Sequence, residues 1–228
     1  MDILEFLQST RLFIDIPAEQ LDILIGSARE KKYTAGRLIV SESDEVQSFF
    51  IVKKGMVKLS KTSFNGKEQT IYLFGPGEMF CLCSTLNASV YPADAMALEE
   101  STLLVLPGDV LEVEARKNPR ILLNMLSVLC QRLKETLTLV ESLSLKEIPQ
   151  RLASFLLMST RQSDGKGEDI VEMPFTQREL AKILGATPET LNRVLKKMAE
   201  EGMISMQGRF IRTLDRGALK ELAGDGSE

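Results

Sequence analysis

The chain has 228 residues, 44% of them hydrophobic and 26% charged, with a formal net charge of −4. This is the composition of an ordinary globular protein, and the length allows two domains, each with its own core. The sequence contains no histidine, which excludes Ser-His-Asp and Cys-His catalysis, histidine zinc sites and histidine-ligated haem within one chain. It also lacks a phosphate-binding glycine loop, so we expect no catalytic residues and no enzyme.

The sequence has no feature typical of a membrane or secreted protein. No apolar run approaches the ~18 residues of a membrane span. The N-terminus, MDILEFLQSTRLF, lacks the basic region of a secretory signal. Three cysteines are an odd and sparse set, which argues against a disulfide framework. We therefore expect a cytoplasmic protein without a membrane partner.

Short strand-like runs dominate the first half of the chain, after two weakly amphipathic helical stretches in residues 1 to 30. Turns containing glycine separate the runs, and Asn65-Gly66 is a strong hairpin signal. Many short strands at regular spacing predict a sandwich or barrel. We assign residues 1–117 to this domain. The predicted strands are residues 38–40, 49–52, 56–59, 70–74 and 101–106.

A long helix is predicted over residues 118–144, with Asn118 as its N-cap and Pro119 at its first position. Its heptad seam has six apolar positions of seven and favours a parallel homodimer over a helix that packs only on its own domain. The pattern breaks after Leu145, and Pro149 starts another helix. Residues 144–149 are therefore predicted to be a hinge. The seam consists of Leu122, Leu126, Leu129, Leu133, Thr136, Val140 and Leu143.

The most specific pattern lies in residues 175–204. Two helical segments with apolar stripes flank Gly185, and Thr187 and Pro188 suit the N-cap and first position of the second segment. Such a pair predicts a helix-turn-helix, whose second helix enters the major groove of DNA. An ordinary helical hairpin would leave the polar outer face of the second helix unexplained.

The flanking residues support a DNA-binding module. Residues 203–206, the Gln207-Gly208 turn and residues 209–212 alternate as in a two-stranded wing. Residues 173–222 contain 9 Lys and Arg against 6 Asp and Glu, whereas residues 1–144 contain 15 against 19. The basic charge is thus concentrated where a phosphate backbone would lie. We assign residues 145–228 to a winged helix-turn-helix domain.

Particular side chains of this module are predicted to contact DNA. Glu189 and Arg193 lie four residues apart and so share a helix face. Arg193 can donate to guanine O6 and N7, and Glu189 can accept from cytosine N4. Pro188 and Asn192 complete the predicted base-reading set. The predicted phosphate contacts, which position the protein without specifying sequence, are Thr176, Gln177, Thr187 and Lys196.

The order of these segments resembles that of the CRP/FNR superfamily of bacterial transcription regulators. The sequence SFFIVKKGMV (residues 48–57) is similar to the strand pair of that family, and FGPGEMF (74–80) is similar to its glycine turn. LGATPETLNR (184–193) matches its Leu-Gly-x-x-x-Glu-Thr-x-x-Arg signature. The resemblance implies an α+β chain with a cyclic-nucleotide-binding-like β-roll, a long dimerisation helix and a winged helix-turn-helix. It also implies a homodimer on palindromic double-stranded DNA and a contact with RNA polymerase.

The cyclic-nucleotide site of the family is not retained. Its Gly-Glu-Leu and its later Arg-Ser or Arg-Thr pair appear here as Cys81-Leu82-Cys83 and Pro92-Ala93, and its Thr-Ser pair on the long helix appears as Thr136-Leu137. A cyclic phosphate without an arginine has no counter-charge, so we expect no response to cAMP. The oxygen-sensing branch holds a [4Fe–4S] cluster on four cysteines, and this chain has three.

Two hypotheses remain for the signal. Cys81 and Cys83, approached by Cys130, form a thiol redox or metal switch, or a haem is ligated by Met79, Cys81, Cys83 or Tyr91. The absence of the nucleotide arginine and the Pro-Glu-Thr-x-x-Arg sequence of residues 188–193 resemble the haem-associated, nitric-oxide-responsive branches (DNR-like and HcpR-like regulators). The cysteines also have a simpler interpretation as buried small hydrophobes. The predicted sensor pocket is Met79, Cys81, Cys83, Tyr91, Thr136 and Leu137.

The signal is expected to shift the long helices at the dimer seam and to re-aim the recognition helices through the 144–149 hinge. A second interpretation keeps the β-roll as a ligand-binding module, with a C-terminal domain that docks protein instead of DNA.

Overall fold

A computed structural model describes residues 2–82, 90–159, 170–173 and 175–224. The chain forms two compact units, Met1–Lys67 with Ile71–Thr136, and Glu68–Thr70 with Leu137–Glu228. Among the helices so described, none combines the length and the apolarity that a bilayer crossing requires.

The first unit begins with short helices. Helix α1 (Ile3–Ser9) starts at a capping box, in which the Asp2 carboxylate accepts a hydrogen bond from the Glu5 N–H at 2.8 Å. A 3₁₀ turn (Ala18–Gln20) and helix α2 (Asp22–Ser27) follow. The two predicted helical stretches are therefore present, with the second one divided.

Two four-stranded sheets follow. The first has the order β1 (Arg29–Tyr33), β8 (Ser101–Pro107), β3 (Ser48–Lys54), β6 (Met79–Phe80), and its pairings are antiparallel. The second has the order β2 (Leu38–Val40), β7 (Asp94–Ala97), β4 (Val57–Thr62), β5 (Glu68–Phe74). Each predicted strand is present, whereas β1, β6 and β7 were not predicted.

Apolar side chains from both sheets meet in one core, as a β-roll requires. The predicted hairpin turn joins β4 to β5, where Gly66 has a φ of 77° and donates its N–H to the Ser63 carbonyl oxygen at 2.8 Å. The core includes Val40, Phe50, Val52, Val57, Phe74, Phe80, Ala95 and Leu103.

Helix α3 (Gly108–Lys117) leads into the long helix α4 (Pro119–Leu145). The Asn118 side chain accepts from the Arg120 N–H at 3.0 Å, which confirms the predicted N-cap. One face of α4 packs on its own domain: Ile121, Met125 and Val128 join the core that contains α1. On the same face, the buried Asn124 amide donates to the carbonyl oxygens of Leu12 and Ile14, each at 3.0 Å.

Another face of α4 is exposed along the predicted heptad seam. Leu133 has 61% of its surface exposed, Thr136 is exposed, and Leu143 is partly buried. Burying such a stripe against a partner would be favourable. The other exposed seam residues are Leu122, Leu126, Leu129 and Val140.

The second unit contains helices α5 (Ile148–Ser159), α6 (Gln177–Leu184), α7 (Pro188–Glu200) and α8 (Arg216–Ala223). Its sheet has the order β10 (Ile204–Gln207), β11 (Phe210–Thr213), β9 (Ile170–Glu172). The two units divide between Thr136 and Leu137, inside α4, earlier than the predicted boundary at residue 144.

Candidate functional site

Helices α6 and α7 form the predicted helix-turn-helix through local capping. The Thr176 hydroxyl accepts from the Glu179 N–H at the start of α6, and Gly185 ends that helix with a φ of 67°. The left-handed backbone at the end of a helix favours glycine because it has no Cβ. The Thr187 hydroxyl accepts from the Thr190 N–H at 3.2 Å, and Pro188 occupies the first turn of α7.

Helix α7 is strongly two-sided. Its buried residues, Leu191, Val194, Leu195 and Met198, belong to the core of the second unit. On the outer side, Glu189, Asn192, Arg193 and Lys196 are exposed, while Pro188 is partly buried. The structure therefore brings the predicted base-reading residues onto the outer part of a rigid helix.

Arg193 is available to a ligand. Across the described residues, nothing forms a hydrogen bond or ion pair with its guanidinium, although Glu189 lies one turn away. A guanidinium with all its donors available can make the bidentate contact that guanine O6 and N7 offer. Lys196 instead lies 3.7 Å from the Glu200 carboxylate, and both side chains are exposed.

Glu189 is held in its ionised form. Hydrogen bonds from its own backbone N–H and from the Thr187 hydroxyl lower the pKa of this carboxyl, and the positive charge of Arg178 lowers it further. An ionised carboxylate only accepts hydrogen bonds, which suits the amino group of cytosine. The sequence did not predict that Arg178, in the first turn of α6, acts on Glu189, because the two residues lie on different helices.

Three of the four predicted phosphate contacts lie at the N-termini of the two helices, and the fourth, Lys196, is exposed in the second half of α7. Thr176, Gln177 and Thr187 are exposed beside the free N–H groups of α6 and α7, which favour anions. The wing is also present: β10 and β11 pair antiparallel around Gly208. Its Arg209 lies 2.7 Å from the Glu172 carboxylate on β9, a strand that was not predicted.

A cavity of about 180 Å³ lies where the sensor pocket was predicted. Three predicted residues, Met79, Cys81 and Tyr91, line it together. Thr136 and Leu137 are exposed further along α4 and do not line it. Cys83 lies outside the described residues. The remaining lining residues are Phe74, Phe80, Leu82, Pro92, Val128, Leu129 and Arg132.

Cys81 is a poor candidate for a reactive thiol. Burial raises the pKa of its thiol to about 12, despite a hydrogen bond with Tyr91 that lowers it. Since the thiolate is the reactive form, this sulfur is protected near neutral pH. Its φ of 66° is uncommon for a residue with a Cβ. Cys130 is exposed on α4 and forms no disulfide with it.

The cavity, as the described residues form it, is smaller than haem requires. Pockets for drug-sized ligands have volumes of about 300–1,000 Å³, and haem is no smaller, whereas this cavity measures about 180 Å³. Of the four proposed axial ligands, Met79, Cys81 and Tyr91 are buried in apolar packing, and Cys83 lies outside the described residues. The described residues also contain no group of three His, Cys, Asp or Glu side chains that could hold a metal ion.

Arg132, on α4, is a residue of the cavity wall that the sequence did not reveal. Its guanidinium lies over the Tyr72 ring and 3.4 Å from the Glu78 carboxylate, and it also faces Glu135 at 3.6 Å. Burial lowers the pKa of Arg132 to about 10, which the Glu135 charge opposes and the Arg11 charge reinforces. Arg132 therefore remains a cation at neutral pH, on the wall of the cavity and of a second one of about 280 Å³.

Two family models match the chain. The Crp-like helix-turn-helix domain matches residues 150–222, and the cyclic nucleotide-binding domain matches residues 30–118. The first match covers α6, α7 and the wing, and the second covers both sheets of the roll.

Relatives and solved structures match over most of their lengths. The cyclic AMP receptor protein of Thermus thermophilus is 30% identical over 217 residues, which is 95% of this chain and 98% of the relative. The fumarate and nitrate reduction regulatory protein of Escherichia coli K12 is 26% identical over 90% of this chain and 82% of the relative. The structure of a CooA mutant from Carboxydothermus hydrogenoformans superposes with a TM-score of 0.78 at 25% identity, covering 98% of this chain and 96% of that chain.

Proposed function

The chain belongs to the CRP/FNR superfamily of transcription regulators, and we propose that it acts as a homodimer on a palindromic DNA site. It is a helix-turn-helix DNA-binding regulator and not an enzyme. In this proposal Arg193 and Glu189 read one G·C pair in each half-site. Pro188 and Asn192 face a neighbouring pair, and the side chains at the helix N-termini hold phosphates.

The observation that carries the base-reading proposal is the Arg193 guanidinium, which has no hydrogen-bond or ion-pair partner among the described residues, beside an ionised Glu189. A donor fork and an acceptor one turn apart match the two partners of a G·C pair in the major groove. A residue that served only surface stability would be expected to hold an ion pair on its own helix, as Arg116 does with Glu112 on α3.

The homodimer proposal is supported by the exposed heptad stripe of α4. Two such stripes bury each other in a parallel coiled coil, whose symmetry matches a palindrome. Half-sites should then lie about 34 Å apart, one turn of DNA. The protein would work in the cytoplasm, where chromosomal DNA is found, and the family resemblance supports RNA polymerase as a further partner.

For the signal, we favour a small molecule in the 180 Å³ cavity over cAMP, haem or a thiol switch. The described lining contains one cation, Arg132, and Glu78 and Glu135 already face it. A cyclic phosphate would therefore lack a free counter-charge. An absorption spectrum of the isolated protein tests the haem alternative: we expect no Soret band, and a Soret band would contradict this choice.

Selection of DNA sequences from a random pool tests the proposed function directly. We expect a palindrome with one strongly preferred G·C pair per half-site. Affinity for the selected site should fall by orders of magnitude between 50 and 200 mM salt, about 10³-fold for six phosphate contacts. Failure to enrich any sequence, or binding insensitive to salt, would favour a C-terminal domain that docks protein.

A further inference from the structure

Arg151 connects the predicted hinge segment, residues 144–149, with the helix-turn-helix. Arg151 lies in the first turns of α5, and its Nε donates to the carbonyl oxygens of Ser142 at 3.0 Å and Lys146 at 2.9 Å. Its Nη2 donates to the Leu143 carbonyl oxygen at 2.8 Å, and its Nη1 to that of Leu184 at 2.9 Å. The guanidinium thus bridges the last turn of α4 and the last turn of α6.

These acceptors are the groups that a cation at this place stabilises. The last carbonyl oxygens of a helix have no partner within it, and they carry the negative end of the helix dipole. Here two helix C-termini, those of α4 and α6, direct such oxygens at one positive charge. A planar guanidinium reaches three of them, those of Ser142, Leu143 and Leu184, together with the Lys146 carbonyl oxygen just after α4, because its N–H groups point outward in fixed directions.

The segment between α4 and α5 is fixed from a second side. The Lys146 ammonium donates to the Ser154 hydroxyl and to the Ala223 carbonyl oxygen, each at 3.0 Å. Lys146 therefore connects the segment to α5 and to the end of α8. Residues 144–149 were predicted to be a hinge, and these contacts connect Lys146, in the middle of that segment, to its neighbours.

Gly185 allows the close approach. A Cβ at this position would lie 3.0 Å from a Leu143 methyl carbon and 3.2 Å from the Arg151 Nη1. The φ of 67° at Gly185 would in addition strain any other residue. The turn of the helix-turn-helix is therefore built to lie directly against the end of the long helix.

We propose that Arg151 is a positioning residue for DNA recognition. It joins three parts of the second unit into one rigid body, namely the end of α4 (residues 137–145), helix α5 and the helix-turn-helix. The proposal rests on the proposed homodimer. In that dimer the seam residue Leu143 belongs to the same body as α6 and α7, so the seam fixes the distance and the rotation between the two recognition helices.

Half-site spacing provides a readout that a merely structural role would not change. One added base pair moves a half-site by about 3.4 Å and rotates it by about 35° around the DNA axis. A rigid pair of recognition helices cannot follow both changes, whereas a loosely held pair can. Simple destabilisation lowers the active fraction equally for every spacing.

The experiment measures the affinity of the full-length dimer for its selected palindrome and for the same half-sites with one base pair inserted or removed. We expect the affinity of the wild type to fall about tenfold or more for each base pair inserted or removed, which is about what a base-pair mismatch costs. We call the affinity for the selected palindrome divided by that for an altered spacing the spacing ratio. Arg151→Ala should remain a dimer in size-exclusion chromatography, but its affinity should fall only about threefold or less per base pair. Arg151→Lys should fall between them, because an ammonium cannot reach all four oxygens.

Arg116→Ala, which removes a surface ion pair with Glu112, is the matched control. Its spacing ratio should equal that of the wild type. The proposal is overturned if Arg151→Ala has the spacing ratio of the wild type, or if its DNA affinity falls by the same factor at every spacing. If Arg151→Ala does not fold, a wild-type ratio in Arg151→Lys overturns it. A wild type that binds DNA without any spacing preference would instead overturn the proposed palindromic homodimer, so the two failures are distinguishable.

Discussion

The guanidinium of Arg132 stacks on the ring of Tyr72, with its central carbon 3.6 Å from the ring centroid. The Tyr72 hydroxyl donates to the Glu78 carboxylate at 2.8 Å, and Glu78 lies 3.4 Å from Arg132. A cation–π contact in a partly buried place is worth about 1–2 kcal/mol. These three side chains connect α4 to the glycine turn beside the cavity, so a ligand that displaces any of them would act on the long helix.

Glu78→Gln should reveal this cluster through the pH dependence of stability. Burial raises the pKa of Glu78, against the hydrogen bond from the Gly75 N–H; the Glu135 charge raises it further and the Arg11 charge opposes it. The folded state therefore holds this proton more tightly than the unfolded state. The resulting stability is fully present below the ordinary pKa of 4.5 and is lost as pH rises through the folded value.

Urea unfolding across this range measures the effect. The free energy of unfolding of the wild type, minus that of Glu78→Gln, should fall as pH rises, by about 1.4 kcal/mol per unit of pKa shift. Glu112→Gln, on the surface of α3, is the matched control. A difference that increases with pH would show that the Arg132 ion pair outweighs burial.

Arg193→Ala should lower specific DNA affinity by about 1–3 kcal/mol and relax the preference at one guanine per half-site. The reason is the loss of a bidentate contact that no neighbouring side chain can replace. Lys196→Ala is the contrasting variant. It should weaken binding to all DNA sequences alike and reduce the slope of log affinity against log salt concentration by about one. Sequence selection with each variant makes the comparison, and an unchanged guanine preference in Arg193→Ala would refute the assignment.

Leu133→Glu should produce monomers. In the proposed seam it would place two carboxylates against each other in an apolar interface, which costs several kcal/mol per ion, so dimer dissociation should increase by about 100-fold or more. Sedimentation measures the state. Val113→Glu introduces the same charge at an exposed apolar residue of α3 and should leave the dimer intact. A dimeric Leu133→Glu would place the interface elsewhere.

Thiol labelling should distinguish the two described cysteines. In a Cys83→Ser variant at pH 8, Cys81 should react with iodoacetamide at least about 100-fold more slowly than Cys130, because it is buried and its thiol remains protonated. Peptide mass spectrometry gives both rates. Comparable rates would revive the thiol switch at Cys81.

The helix-turn-helix could be predicted because its determinants are local. Gly185, Thr187 and Pro188 lie within four residues, and each acts on the backbone next to it. The heptad stripe was equally visible, since a helix converts sequence spacing into a surface without help from the rest of the chain.

Contacts between distant segments were not predictable in this way. Arg132 and Glu78 are 54 residues apart, and only the closed roll brings them together. The same holds for Arg151 and Leu184, 33 residues apart. Strand β1, REKKY, was missed because its side chains are mostly exposed and show no alternation of apolar and polar residues.

If the chain pairs through the solvent-facing leucines of α4, its abundance becomes part of its control. On the proposed pairing, a scarce chain is mainly a monomer that cannot hold a palindrome, and the amount of dimer then rises with the square of the chain concentration. Doubling the rate of synthesis would give about four times as many dimers before any effector arrives. Gene dosage and proteolysis would therefore set the threshold at which the effector can change transcription.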